Sequence, residues 1–317
     1  MSDLFVFSVT MLTYASTIKN IKKGINQRLF YIRNVKYGFS YIFLLPGSIR
    51  EKFGQYTFFR TLIKHNHHIK FSNNEKGNLL IAGDITLQFP PNCFFEYDFF
   101  DILYPRLGLH NQLIEKIIYQ NPYYESEGKY EDFGVKVLEG DYVVDAGANV
   151  GLFSVVASAA VGKEGKVFAF EPLTEISNVL DMNMKRNNRT NVKIVNNLLG
   201  EADKNVEFFY NFETNYNGAS KAIHHEGDTM VILQQVTLDS FVKNNNIQKI
   251  DFIKADIEGA ERDLLKGAEH TIKKFRPKLA LRTYHLPDDK EVLFALVKEY
   301  VPEYNVILEN KTLYAWI

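Results

Sequence analysis

The chain has 317 residues, 46% of them hydrophobic and 24% charged, a globular composition that excludes a disordered, collagenous or coiled-coil protein and suits two domains or one large α/β domain with an extension. Its 37 Lys and Arg stand against 38 Asp and Glu, so no overall positive field collects phosphate backbones, and a nucleic-acid coat protein is excluded. Cys93 is the only cysteine; an intramolecular disulfide and Cys-based zinc or redox motifs are ruled out, and a cytoplasmic setting is expected.

From the N-terminus, Leu4 to Ile18 carries no charge, but it is too short to span a bilayer and no basic segment precedes it, so it reads as a core or interface segment and not as a signal. Residues 1–70 hold 11 Lys and Arg against 2 Asp and Glu, which leaves the remainder acidic. Between residues 19 and 41, Lys19, Lys22, Lys23, Arg28, Arg33 and Lys36 alternate with Phe30, Tyr31, Tyr37, Phe39 and Tyr41. Such a basic, aromatic-rich helical extension suits peripheral contact with the inner face of an anionic membrane, or a solvated face laid over the acidic domain. His65, His67 and His68 have no acidic or Cys companions at ligand spacing and read as a loop. Residues 71–122 read as a strand pair and a helix leading into the core: Leu79 to Phe100 is broken at Ala82-Gly83-Asp84 and Pro90-Pro91, and the helix over 109–119 stops at Asn121-Pro122.

After about residue 130 apolar runs alternate with helical stretches, the α/β signature. Strands are predicted at 142–145, 166–170, 192–195, 250–254 and 278–283, with 304–308 and 312–317 as a closing pair. The first five are mostly continuous apolar runs, as in a parallel sheet covered on both faces. Helices are predicted at 151–161, 174–187, 238–244, 260–275 and 290–300. The closing pair is joined by Glu309-Asn310-Lys311 and should form an antiparallel hairpin at one edge.

Three stretches carry chemistry. In Asp145-Ala146-Gly147-Ala148-Asn149-Val150-Gly151 a strand runs through a glycine turn into a helix, the place where open α/β sheets bind nucleotides. The spacing is not the three-glycine dinucleotide pattern, and no P-loop Gly-Lys-Ser/Thr follows. A carboxylate ahead of the turn repels phosphate and suits a ligand with an ammonium group, such as S-adenosylmethionine. Glu171 follows the second strand in Phe168-Ala169-Phe170-Glu171-Pro172, where a carboxylate can accept both ribose hydroxyls; a plain helix start is the duller reading. In Lys254-Ala255-Asp256-Ile257-Glu258-Gly259-Ala260-Glu261 a buried strand emerges into three acids. Asp256 and Glu258 could deprotonate a hydroxyl, hold a magnesium-type cation or grip the amino-acid end of the cofactor, while Glu261 suits N-capping and surface charge. The stretch is not the Asn-Pro-Pro-Tyr type of motif of enzymes that methylate a flipped base, so no nucleic-acid partner is expected.

Together with Val236-Thr237-Leu238-Asp239-Ser240-Phe241, Leu265-Lys266-Gly267-Ala268 and Arg276-Pro277-Lys278-Leu279-Ala280, these motifs resemble the FkbM family of S-adenosylmethionine-dependent methyltransferases, most firmly over about 123–285. The resemblance implies a class I methyltransferase domain over 123–317, Rossmann-like, with a seven-stranded mostly parallel sheet of order 3-2-1-4-5-7-6. It implies that Asp145, Gly147, Ala148, Asn149 and Gly151 line the methionine end of the cofactor, that Glu171 holds the ribose, that Asn197 in the 196–200 segment flanks the adenine, and that Asp256 joins the cofactor site. It favours O-methylation of a hydroxyl on a sugar, glycan or related small molecule, with Asp256, Glu258 and His285 as base candidates; an unperturbed His titrates near neutrality. His224 and His225, within 210–229, fall in an expected acceptor-facing loop. The competing expectation is a non-catalytic module of the same fold that acts through its basic arm.

Overall fold

The computed structural model describes residues 69–74, 77–82, 85–89, 129–211, 215–220 and 228–317. The arm at 19–41, the helix at 109–119, Cys93, His65, His67, His68, His224 and His225 lie outside the described residues. A three-stranded antiparallel meander comes first, β1 (Ile69–Asn74), β2 (Gly77–Ala82) and β3 (Ile85–Phe89). The expected strand pair is present as β2 and β3, and β1 adds a third strand in front of it; two residues separate each strand from the next, and such short connections suffice for antiparallel neighbours.

The main domain alternates strictly. β4 (Tyr142–Ala146), α1 (Leu152–Val161), β5 (Lys166–Phe170), α2 (Thr174–Arg186) and β6 (Val192–Val195) form its first half. The second half holds α3 (Leu238–Asn244), β11 (Phe252–Ala255), α4 (Glu261–Lys266), α5 (Glu269–Phe275), β12 (Lys278–Arg282), α6 (Asp289–Tyr300), β13 (Asn305–Glu309) and β14 (Thr312–Trp316). Between the halves lie β7 (Leu198–Leu199), β8 (Lys204–Asn211), β9 (Asn215–Ser220) and β10 (Thr229–Val236).

The central sheet runs β13-β14-β12-β11-β4-β5-β6. Its pairs from β12 to β6 are parallel, and β14 pairs antiparallel with both β12 and β13. Counted in chain order from the β6 edge this is 3-2-1-4-5-7-6, the class I methyltransferase order. Adjacent residues of a strand face opposite layers: Val143 packs in a core with α1, α2 and the meander, Val144 in a second core with α3 to α6. Both are completely buried, which is why β4 reads as an unbroken apolar run.

Two departures from the sequence reading have physical causes. The helix expected over 260–275 is two short helices, because at Gly267 a side chain would meet the Gly200 carbonyl oxygen at 1.9 Å; the chain bends there so that the Gly267 carbonyl can accept from the Asp239 amide. The region read as a loop over 210–229 is flanked by two long paired strands, β8 and β10, in a four-stranded sheet of order β7-β10-β8-β9. Leu198-Leu199 of β7 pairs with Gln235-Val236, so this sheet springs from the end of β6.

The meander is held to α2 by two asparagines one turn apart. Asn183 Oδ1 accepts from the Gln88 amide at 2.8 Å and its Nδ2 donates to the Gln88 carbonyl at 2.9 Å, while Asn187 does the same with Thr86 at 2.8 and 2.6 Å. The helix thereby imitates a neighbouring strand along the edge of β3. Asn183 Nδ2 also donates to the Val150 carbonyl in the glycine turn at 2.8 Å, so one completely buried amide joins meander, helix and turn. Asn183→Ala is expected to destabilise the fold by about 2 to 4 kcal/mol, since it strands buried backbone groups. Urea denaturation reads this directly; an unchanged midpoint would mean that apolar contacts alone hold the meander. Among the described residues no helix is long and apolar enough to cross a membrane.

Candidate active site

The glycine turn is built where β4 ends. Gly147 takes φ +75° and Gly151 φ +92°, backbone that favours glycine. A side chain at Gly151 would meet Leu180 at 2.3 Å, so the turn lies tight on α2. The amides of Gly147 and Ala148 both donate to the Phe170 carbonyl, at 3.1 and 2.9 Å, which pins the turn to the end of β5. Asn149, also at positive φ (+49°), sends its amide to Glu171 Oε2 at 3.0 Å. The turn is therefore held by its own protein and does not leave a row of amides for a phosphate.

Glu171 is 6% exposed and its Oε1 accepts from the Leu173 amide at 3.0 Å. Burial pushes its carboxyl up to about 7; the Leu173 and Asn149 amides and the Lys254 charge pull the other way, and Asp145 adds to the rise. Two amides occupy two of the roughly four lone-pair positions of a carboxylate. Capacity for a pair of hydroxyl donors remains.

Asp145 is completely buried. Its Oδ2 accepts from the Ser154 hydroxyl at 2.6 Å, and its Oδ1 lies 3.0 Å from Lys254 Nζ. The carboxylate expected to face an ammonium ligand thus faces an ammonium of the protein itself.

At the ends of β11 and β12 the acids meet three cations. The Tyr130 hydroxyl donates to Asp256 Oδ2 at 2.5 Å, and Arg282 Nε donates to that hydroxyl at 3.2 Å and lies 3.6 Å from the same carboxylate oxygen. The Arg282 guanidinium covers the Tyr130 ring, 4.1 Å from its centroid. Burial raises the Asp256 carboxyl, but Arg282, Lys254, His285 and the Tyr130 hydrogen bond together hold it below its ordinary value. His285 sits among three acids: Nδ1 is 3.0 Å from Glu261 Oε1, and Nε2 is 3.5 Å from Asp256 Oδ1 and 3.6 Å from Glu258 Oε2. Burial works against its charge, yet Glu261, Asp256 and Glu258 push its pKa up to about 9. The ring carries a proton at neutral pH instead of titrating there.

Asp256, Glu258 and His285 are thus brought together, and the Asp256 amide donates to the Ala146 carbonyl at 3.2 Å, joining them to the glycine turn. These three can each bring one ligand atom within 4.8 Å of the others, a spacing that a divalent cation could bridge. Glu258 stands at φ +53° before Gly259 at φ +92°, a bend that turns the chain from β11 into α4. Asn197 is not joined to this group: its amide donates to the carbonyl and side chain of Gln234 at 3.3 and 3.2 Å, whereas Asn196 donates to the Glu171 carbonyl at 3.1 Å. Glu261 departs from its expected surface role. It is completely buried, and accepts from the Ile257 and Gly259 amides at 2.9 and 3.1 Å, because a bend of two positive-φ residues leaves amides that no helix or strand satisfies. Lys254, Tyr130 and Arg282 escaped the sequence reading. A charged residue inside an apolar strand, as in Phe-Ile-Lys-Ala and Leu-Ala-Leu-Arg, was the available signal for two of them.

A profile described as the Methyltransferase FkbM domain matches residues 145–308. Methyltransferase 1 of Beauveria bassiana is 24% identical over 149 residues, 41% of this chain and 59% of that protein. The antimetabolite synthetase AmbE of Pseudomonas aeruginosa is 25% identical over 176 residues, 44% of this chain and 8% of that protein. The chain spans less than two thirds of either relative. Among solved structures, a methyltransferase FkbM from Methylobacillus flagellatus aligns with a TM-score of 0.45 at 21% identity, covering 68% of this chain and 53% of that one.

Proposed function

Because the chain belongs to the FkbM family of S-adenosylmethionine-dependent methyltransferases, we propose that it methylates a hydroxyl oxygen on a sugar, glycan or related small molecule. The observation that carries this reading is the junction of two sites: the Glu171-braced glycine turn and the Asp256–Glu258–His285 cluster, tied by the Asp256 amide to the Ala146 carbonyl at 3.2 Å. The residues suit the cofactor. Glu171 keeps capacity for two ribose hydroxyls, and the tight turn sets the wall beside which the methionine end would lie. Bound there, S-adenosylmethionine would supply a methyl group activated by its cationic sulfur, the sulfur being left as the neutral thioether of S-adenosylhomocysteine.

The protein has two tasks, alignment and removal of the acceptor's proton. Glu258, with its side chain 31% exposed, is the most open of the three acids around His285, and we assign it the proton from the acceptor hydroxyl. The His285 imidazolium keeps Glu258 and Asp256 in place and stabilises a developing alkoxide. Asp256, held by Tyr130 and Arg282, is the fixed wall between cofactor turn and acceptor. This scheme uses no divalent cation: Asp256 already faces Arg282, and a magnesium ion at Asp256 and Glu258 would stand against the His285 imidazolium. Incubation with methyl-labelled S-adenosylmethionine and a panel of sugars, with and without a chelator, tests the reading. Label is expected in base-stable methyl ethers in both conditions; label only in amines or base-labile esters would refute it.

Glu171 also gives the protein a pH signature. A carboxyl raised from 4.5 to about 7 stabilises the fold fully below 4.5, and that contribution, about 3 kcal/mol, is lost as pH rises through about 7. Ribose hydroxyls donate to the ionised form, so affinity for S-adenosylhomocysteine is expected to climb with pH and level off above about 7, with proton release on binding below it. Calorimetry in buffers of different ionisation enthalpy detects that proton. Glu171→Gln should bind weakly and without pH dependence; a pH-independent wild type would contradict the assignment.

A further inference from the structure

Lys254 takes no part in the reaction scheme, yet it occupies the centre of the site. It lies in β11 between the buried Ile253 and Ala255 and is itself 4% exposed. Its Nζ is 3.0 Å from Asp145 Oδ1, 2.8 Å from the Gly147 carbonyl oxygen and 3.2 Å from that of Ala146. Two hydrogen bonds go to the carbonyls, the contact with Asp145 is an ion pair, and the Tyr130 ring centroid is 5.2 Å away.

Charge balance alone does not explain this arrangement, since a buried ion pair is commonly replaced by neutral side chains of similar volume without loss of stability. The two backbone carbonyls are different. They belong to the glycine turn, and a Lys ammonium reaches both of them and the carboxylate from one strand position. The same strand continues into Asp256, and Tyr130 touches both ends of the arrangement, its ring beside Lys254 and its hydroxyl on Asp256.

We propose that Lys254 is the positioning residue of the cofactor turn: its ammonium draws the Ala146 and Gly147 carbonyls into the core and couples them to the strand that carries Asp256, so that Asp145 acts on the cofactor only through this ion pair. The inference rests on the cofactor reading given above. It departs from the expectation that the family resemblance implied, that Asp145 itself lines the methionine end.

The test is calorimetric titration of the full chain with S-adenosylhomocysteine, together with thermal melts, for wild type, Lys254→Met, Asp145→Asn and the double variant. Asp145→Asn keeps the donor on both carbonyls; it should melt lower yet bind within about threefold of wild type. Lys254→Met loses two charge-assisted hydrogen bonds to the turn and should bind at least about tenfold more weakly. The double variant leaves neither charge of the pair unpartnered, so its melting temperature should recover relative to Lys254→Met while its affinity stays low. That split between stability and affinity is what a purely structural ion pair would not produce. Wild-type affinity in the double variant, or an equal loss in Asp145→Asn and Lys254→Met, overturns the proposal and leaves the cofactor reading intact. A folded wild type that does not bind S-adenosylhomocysteine overturns both. If Lys254→Met fails to fold, Asp145→Asn and the double variant decide.

Discussion

Gly147→Ala is expected to lower affinity for S-adenosylhomocysteine by more than about 100-fold, the equivalent of about 3 kcal/mol. Its added carbon would stand 1.9 Å from the Asp256 carbonyl oxygen and 3.0 Å from the carbonyl carbon. Both atoms are backbone at the end of β11 and cannot swing aside as a side chain would. Relief requires moving either the turn or the strand end, and with the strand end goes the Asp256 carboxylate. The positive φ adds about 1 to 2 kcal/mol of backbone strain to the clash. Gly140 separates the two contributions: it stands at φ +84° with nothing within 4 Å of an added carbon. Gly140→Ala should therefore lose about 1 kcal/mol of stability through backbone strain and keep wild-type affinity. Thermal melts and titrations of the two variants side by side measure the difference. Equal binding by both would place the ligand away from this turn.

Glu171→Ala carries the second large effect, a loss of about 30- to 150-fold in affinity for the same ligand, equivalent to roughly 2 to 3 kcal/mol. The substitution removes the acceptor for the ribose and also frees the Asn149 and Leu173 amides, which Glu171 holds at 3.0 Å each. Opposing terms act on stability. Removing a buried carboxyl that resists ionisation relieves the apo protein above pH 7, while two stranded amides destabilise it. The affinity loss should consequently exceed any loss in melting temperature. Adenosine, which carries the ribose without the amino-acid chain, should lose affinity by a similar factor; an unaffected adenosine affinity would remove Glu171 from the ribose site.

The fold was legible where burial imposes a pattern. Val143-Val144, Phe168-Ala169-Phe170 and Leu279-Ala280-Leu281 are buried on both faces, and uninterrupted apolar runs of that kind have few alternatives to a parallel strand. The β8–β10 insertion was not legible because Met230 and Ile232 are exposed; hydrophobic side chains on the solvent face break the alternation by which a half-buried strand is recognised. The split of 260–275 was hidden for another reason, since it depends on Gly200, far away in sequence, approaching Gly267. The acids of the site stood out in Asp145, Glu171, Asp256 and Glu258. Their partners did not: Tyr130 meets Asp256 across 126 residues and Arg282 meets Tyr130 across 152, and no local pattern announces such a pairing. Lys254 and Arg282 are each a charge in an apolar strand, which sequence alone marks as paired without naming the pair.

Whether the glycine turn and Glu171 form a cofactor site is decided by titrating the purified full chain with S-adenosylhomocysteine at pH 8, beside Glu171→Ala and Gly147→Ala with their folding checked by circular dichroism. The wild type should show saturable single-site binding, strongly weakened in both folded variants. A folded wild type that takes up no S-adenosylhomocysteine, or variants that bind as tightly as it does, would contradict such a site.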